Sequence, residues 1–204
     1  MKTVQFFAAV LAAVITVSAP AMAETTVKKA VSYKVDAAKS SLKWNAKKVT
    51  GEHSGTIGLS SGSIIVDGTT LKGGSFVADM TSMVCTDITD AGYNAKLMGH
   101  LKSDDFFSVE KHNKATFKIT KVTPGTGAGN FNVTGDMTIK GITKPITFPA
   151  TVKMENGLVV AMAKINVDRT AFDIKYNSKK FFDAIGDKMI YDDFELDLTL
   201  TAGK

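Results

Sequence analysis

Residues 132–148 have the sequence NVTGDMTIKGITKPITF, in which apolar and polar side chains alternate on both sides of a short polar segment. Alternation with a period of two predicts a β-strand with one buried and one exposed face. The segment Lys140–Pro145 supplies the reversal, because glycine tolerates a positive φ and proline, which has no N–H, suits a strand start. The stretch therefore predicts a β-hairpin with Met137, Ile139 and Phe148 on its buried face.

The same alternation recurs along most of the chain, in short segments separated by turn-forming residues. It predicts separate strands over Thr56–Leu59 and Ser63–Val66, a strand that ends at Met80, and a late strand over Thr170–Tyr176. The Asp67-Gly68 pair is a strong hairpin signal. Because the strands follow one another at hairpin spacing, they predict an antiparallel all-β domain.

The alternation stops between Thr81 and Phe107. Within this region Ala95, Leu97, Met98 and Leu101 are spaced as on one face of a helix. We expect one helix here, crossing from one sheet edge to another. Eight or more antiparallel strands with one helix favour a closed barrel or a sandwich, and a barrel of about eight strands has room for packed side chains or for one small ligand.

The first 23 residues have the features of a secretory signal peptide. Lys2 is followed by an apolar run over Phe6–Val17 and by Ala21-Met22-Ala23, an A-x-A cleavage site. The run is shorter than the roughly 20 residues that span a bilayer. We expect cleavage after Ala23, a periplasmic protein that is not membrane-embedded, and a single domain over residues 24–204.

Charge gives little sign of a nucleic-acid partner. The chain has 25 basic and 20 acidic residues, and only Lys2 among these 45 lies within residues 1–23, so the mature charge is 24 − 20 = +4. The lysines lie at scattered alternate positions, which is typical of the exposed face of a sheet rather than of a binding stripe. We expect a monomer or a homodimer that binds no nucleic acid.

Arg169 is the only arginine in the chain. Arginine offers a planar donor fork that tolerates burial and binds carboxylate or phosphate in a bidentate manner. One interpretation makes Arg169 the contact for the polar head group of a ligand at a barrel rim. The alternative is a structural ion pair with Asp168, Asp173 or Asp192.

Four segments together resemble the YceI-like family. The hairpin Gly135–Ile146 resembles its G-x-L-T-I-K-G-V-T-K-P-V motif, and His100–Phe107 resembles its H-L-K-S-x-D-F-F segment. Ala115–Phe117 is similar to its A-x-F strand start, and Asp168–Ile174 to its late x-R-x-x-F-G-I element. The motifs occur in the family's order. One departure is Asp173, where many members have glycine.

The resemblance implies an extended lipocalin-like antiparallel barrel that binds a long amphiphile, a polyisoprenoid, an isoprenoid quinone or a fatty-acyl chain, in its lumen. Alternation assigns apolar side chains to that lumen, and small residues such as Ala78, Gly135, Ala161 and Ala163 share the inward face. A filled core, as in an envelope-stress or protein-interaction module, is the alternative interpretation. The predicted lumen residues are Trp44, Phe76, Met80, Phe106, Phe117, Phe131, Met137, Ile139, Phe148, Ile165, Phe172 and Phe194.

The sequence gives no catalytic motif. The histidines His53, His100 and His112 fit no metal-ligand spacing, and no nucleophile elbow is present. We expect Asp104-Asp105 to cap and end a segment rather than to act as paired acid and base, and Cys85 to be a buried apolar residue. No cofactor, metal or catalytic residue is predicted; a metal-dependent lipid hydrolase is the less favoured alternative.

Overall fold

The computed structural model describes residues 29–204, and the predicted signal peptide lies outside them. The described part of the chain forms nine strands, one α-helix and three 3-10 turns. The helix α1 spans Ala91–Lys102, and the turns span Ala37–Lys39, Arg169–Phe172 and Gly186–Lys188. The strands are β1 (Val31–Val35), β2 (Ser41–Lys48), β3 (Gly51–Asp67), β4 (Thr70–Cys85), β5 (Lys114–Pro124), β6 (Asn130–Ile139), β7 (Ile142–Glu155), β8 (Leu158–Asp168) and β9 (Ile190–Gly203).

Strands β2 to β9 close into one antiparallel barrel. Their order is β3-β2-β9-β8-β7-β6-β5-β4, and β4 pairs back with β3. Strand β1 pairs with β3 and β9, the same two neighbours that β2 has. Tyr33 lies opposite Ile64 of β3, and Val35 lies opposite Ala202 of β9. The predicted all-β barrel of about eight strands with one helix is confirmed, and the sandwich alternative is wrong.

The β6–β7 hairpin forms as predicted, with a tighter turn. Val133 lies opposite Phe148, and Ile139 lies opposite Ile142. Lys140 and Gly141 have φ angles of 52° and 75°, and a two-residue turn with both residues in the left-handed region matches the twist of the flanking strands. Strand β7 therefore begins before the predicted start at Pro145.

Strands β3 and β4 are longer than the sequence predicts. The polar segment Ser60–Gly62 does not divide β3, because a register shift between Leu59 and Ser61 absorbs it, as a β-bulge does. Strand β4 continues past Met80 to the buried Cys85. Burial raises the pKa of the Cys85 thiol, which fits the predicted role as a core residue.

The predicted helix is confirmed, but its predicted path is wrong. Asp90 caps α1 by accepting a hydrogen bond of 2.8 Å from the Tyr93 N–H. The helix joins β4 to β5, which are neighbours in a closed barrel, so it links no separate sheet edges. Leu101 in its last turn and Phe106 just after it pack in or against the core at one barrel end. Within residues 29–204 no helix is long and apolar enough to cross a membrane.

The strand predicted over Thr170–Tyr176 is wrong, since the chain forms a 3-10 turn there. Asp168 Oδ1 accepts hydrogen bonds from the Thr170 N–H at 2.8 Å and from its hydroxyl at 2.5 Å. Such local bonds compete with a strand ladder. Asp173 ends the turn with a φ of 59°, a left-handed conformation that aspartate tolerates better than most residues. This explains why glycine also suits the position.

The pairing between β7 and β8 is incomplete. The two strands pair only from Ala150 of β7 and Ala163 of β8 onward. Residues 142–149 of β7 pair with β6 alone, and residues 164–168 of β8 pair with β9 alone. We call the gap between these two segments the seam.

The residues beside the seam are consistent with the missing β7–β8 pairing. Pro145 and Pro149 lie in the half-paired part of β7, where a missing N–H leaves no ladder bond to β8 unmade. The turn Arg169–Phe172 contacts β7, and Phe172 and Ile174 are 1% exposed. This turn therefore covers the wide end of the seam and leaves the narrow end, near Ala150 and Ala163, to the strands alone.

Candidate functional site

The barrel encloses an apolar cavity of about 170 Å³. Every strand from β2 to β9 contributes side chains to its wall, and Leu101, Phe106 and Phe107 close one end. On β9 the lining residues are Ile190, Tyr191 and the alternating set Phe194, Leu196, Leu198 and Leu200, and the alternating set alone spans about 20 Å at roughly 3.3 Å per residue. Because a small volume is spread over this length, the cavity is narrow and suits a chain rather than a compact group.

Ten of the twelve predicted lumen residues line this cavity. Nine of them come from seven strands, where the alternation rule correctly assigned their inward direction, and Phe106 comes from the segment after α1. The ten are Trp44, Phe76, Met80, Phe106, Phe117, Met137, Ile139, Phe148, Ile165 and Phe194.

Phe131 and Phe172 are buried but lie outside the cavity lining. Phe131 is at the start of β6, opposite Pro124 and Ala150, and it lines a cleft on the outer surface instead. Phe172 belongs to the 3-10 turn beside β7. Its predicted position depended on a strand that does not form, so the alternation rule did not apply to it.

Small inward residues explain why the barrel is not filled. Ala78 lies opposite Ala115, and Ala150 lies opposite Ala163, and all four line the cavity. Gly135 allows the Phe117 ring to lie across β6, since a Cβ there would be only 2.4 Å from that ring. Pairs of alanines facing each other leave space that close packing elsewhere removes.

Flexible side chains give the wall room to adapt. Met80, Met83 and Met137 all line the cavity, and unbranched thioether chains change rotamer at little cost. Met83 was missed from the sequence because β4 was predicted to end at Met80. An apolar cavity of about 150 Å³ is enough to bind benzene, so a longer chain requires these methionines to repack.

The wall offers few polar groups. Trp44 Nε1 already donates to the Val84 carbonyl at 3.2 Å. Apart from it, the polar lining residues in the described part of the chain are Thr116, Arg169 and Tyr191. A buried polar group without a partner is costly, so this wall selects against polar ligands along most of its length.

Arg169 is buried, and its guanidinium is used within the protein. Nε donates to the Tyr191 carbonyl at 3.1 Å, Nη1 to Ile174 at 2.9 Å and Nη2 to Ile190 at 3.0 Å. Nη2 also lies 3.5 Å from Asp192 Oδ1. Burial lowers the Arg169 pKa, and the charge of Asp192 opposes this effect. The ion-pair alternative is confirmed for Asp192.

The histidines occupy three separate places, of which that of His112 is beside Gly141 in the β6–β7 turn. His53 Nδ1 lies 2.9 Å from Asp87 Oδ2 at the end of β4, and His100 Nε2 lies 3.1 Å from Asp105 Oδ2. Burial raises the Asp87 pKa, but hydrogen bonds from the Ser54 N–H, His53 and Cys85 outweigh it and lower the pKa to about 2. Within residues 29–204 no group of three His, Cys, Asp or Glu side chains is placed to hold a metal ion.

Asp104 and Asp105 bond to side chains in and around the segment after α1, and Ser103 rather than either of them caps the helix. Asp104 accepts hydrogen bonds from the Ser108 hydroxyl and from Lys111 Nζ, the latter at 2.6 Å. Asp105 holds His100, whose ring packs edge-on against Phe106 at 4.9 Å. Both carboxylates therefore fix the segment that follows α1 and orient Phe106 toward the cavity.

A closed antiparallel barrel around a narrow apolar cavity defines a lipocalin-like barrel. The YceI-like domain matches residues 33–202, and the chain belongs to the YceI-like family.

Relatives and solved structures agree with this assignment. A UPF0312 protein of Vibrio parahaemolyticus is 44% identical over 75 residues, which are 36% of this chain and 39% of that protein. A UPF0312 protein of Ectopseudomonas mendocina is 47% identical over 51 residues, 25% of this chain and 26% of that protein. These matches span less than half of either relative.

Two solved structures share the fold. BcnA of Burkholderia cenocepacia has a TM-score of 0.65 at 23% identity, covering 82% of this chain and 99% of that one. A polyisoprenoid binding domain from Saccharophagus degradans has a TM-score of 0.60 at 14% identity, covering 84% and 97%. At these identities the similarity shows the fold alone.

Proposed function

We propose that this protein is a carrier that holds a long-chain lipid or isoprenoid in its barrel cavity and performs no chemistry on it. The observation that carries the proposal is the cavity itself, which is narrow, about 20 Å long by strand rise and lined almost entirely by apolar side chains. A filled core would leave no such space. The name of the Saccharophagus degradans neighbour, a polyisoprenoid binding domain, supports an isoprenoid chain as the first candidate.

The expected affinity follows from the number of ligand methylenes that the cavity buries. Burying about ten methylenes contributes roughly 8 kcal/mol at about 0.8 kcal/mol each, and association costs at least about 4 kcal/mol. Micromolar affinity corresponds to about 8 kcal/mol. The ligand must therefore have a longer chain or make an additional contact through its head group.

Trp44 provides a direct test of cavity binding. It is the only tryptophan in the chain and lines the cavity, so its fluorescence reports on the lumen. Titration with farnesol, an isoprenoid alcohol, is expected to change the Trp44 emission and to saturate at one equivalent per chain. A titration with no saturable change, at concentrations up to the solubility limit, would contradict the proposal and favour an interaction module with no ligand.

We also propose that the protein acts in the periplasm after cleavage at Ala23. The support is the sequence pattern of residues 1–23, a basic start, an apolar run and an A-x-A site. The intact mass of protein isolated from a periplasmic fraction checks this. It is expected to match a chain that starts at Glu24, and a mass that retains Met1 would contradict cleavage.

A further inference from the structure

A cleft lies on the outer surface of the barrel at the narrow end of the seam. It adjoins the place where the β7–β8 ladder stops, at the Ala150–Ala163 pair. Ala150, Met162 and Ala163 line both this cleft and the inner cavity. The two spaces therefore share this stretch of the barrel wall.

The meeting point is built from small and flexible side chains. Beyond Ala150 and Ala163 the two strands make no pairing with each other. Met162 points outward and is 39% exposed, and a methionine side chain repacks easily. A chain that enters beyond this pair breaks no ladder bond, because none joins β7 and β8 there.

The outer cleft contains polar side chains as well as apolar ones, whereas the cavity is almost entirely apolar. Asn132 and Asp197 are exposed, and Thr199 is half-buried on β9. Lys164 lies directly opposite Asp197 and 3.6 Å from Glu195 Oε1. The charge of the lysine is thus matched within the protein, and the cleft has no net positive charge with which to attract an anion.

The polar group of the cavity that could bind a head group is already used within the protein. Arg169, the one cationic residue that lines the cavity within residues 29–204, already donates to three backbone carbonyls and lies beside Asp192. A ligand head group at Arg169 would have to displace these partners. The amide and hydroxyl groups of the cleft are on the outer face, where a polar head group keeps part of its hydration.

We propose that the cleft at the seam binds the uncharged, hydrogen-bonding head group of the ligand, an alcohol or a carbonyl, while the chain enters the cavity beside the Ala150–Ala163 pair. This inference rests on the proposed function. It adds a lateral head-group site to the apolar cavity and assigns Asn132, on β6, and Thr199, on β9, as alternative hydrogen-bonding residues on opposite sides of the cleft.

The test compares three probes that share one chain, using Trp44 fluorescence. The probes are farnesol, farnesyl phosphate and the hydrocarbon farnesene. The unmodified protein is expected to bind farnesol more tightly than farnesyl phosphate. The double variant Asn132→Leu, Thr199→Val, which removes both alternatives, is expected to weaken farnesol binding by about tenfold, as for the loss of one hydrogen bond, and to leave farnesene binding unchanged. The control is Thr120→Val, an exposed threonine on β5.

Each contrary result has a separate meaning. Tighter binding of farnesyl phosphate would overturn the uncharged head group. Equal effects of the double variant on farnesol and farnesene, or no effect on either, would overturn the site at the seam while the proposed function stands. If none of the three probes binds the unmodified protein, the proposed function fails and the head-group site fails with it. Both altered side chains face outward, so folding, checked by circular dichroism, is expected to persist.

Discussion

Phe148→Asp is expected to lower the affinity for farnesol by about 100-fold, since it places a polar group against the bound chain. Phe148 is 7% exposed and lines the cavity. Its ring packs against Phe117 with centroids 5.3 Å apart. A carboxyl group here must either lose its hydration when the chain enters or keep water in the path of the chain. Fluorescence titration of folded protein measures the effect.

Two further variants separate binding from folding. Thr147→Asp changes the exposed neighbour on the same strand and is expected to bind farnesol normally. Phe148→Leu keeps the wall apolar and is expected to retain binding, with a stability loss smaller than the about 3–5 kcal/mol typical of Phe→Ala in a core. A folded Phe148→Asp protein with unchanged affinity would show that the chain does not pass this residue.

Arg169→Met is expected to lower the free energy of unfolding by about 3–5 kcal/mol, the usual effect of removing one partner of a buried ion pair. The guanidinium joins Ile174, at the end of the 3-10 turn, to Ile190 and Tyr191 at the start of β9. Its removal leaves three carbonyls without their donor and leaves Asp192 without its nearest cation. Denaturant unfolding with an unchanged m-value measures the loss.

Arg169→Lys and Asp192→Asn are the matched comparisons. Lysine keeps the charge but not the planar fork, so a smaller loss of about 1–3 kcal/mol is expected. Asp192→Asn removes only the charge of the partner and tests the ion pair apart from the carbonyl contacts. An Arg169→Met protein that has an unchanged free energy of unfolding but no longer binds farnesol would show that Arg169 contacts the ligand head group instead of stabilising the fold.

The barrel was predictable because its strands obey one simple rule. Inward residues such as Met137 and Phe148 alternate with polar neighbours, and hairpin turns fix their register. The rule failed where side chains bond locally to the backbone. Asp168 accepts two hydrogen bonds from Thr170, and the chain turns there. The predicted strand and the lumen position of Phe172 were therefore both wrong.

The cavity was only partly predictable for a similar reason. Alternation gives the direction of Ala150 and Ala163 but not that they face each other across β7 and β8, which is a matter of pairing between distant segments. The seam and the outer cleft arise from the same long-range pairing. The role of Arg169 was also left open, since its carbonyl partners belong to segments whose conformation no local pattern indicates.

The most direct test of a ligand-carrying barrel is native mass spectrometry of protein purified from its own cell envelope without detergent. The expected spectrum shows the chain from Glu24 with one additional mass of a long-chain lipid or isoprenoid, and this mass is released on denaturation. The same protein carrying Phe148→Asp is expected to show the polypeptide mass alone. A spectrum in which the unmodified protein also has only its polypeptide mass, and takes up no added isoprenoid alcohol, would contradict the account.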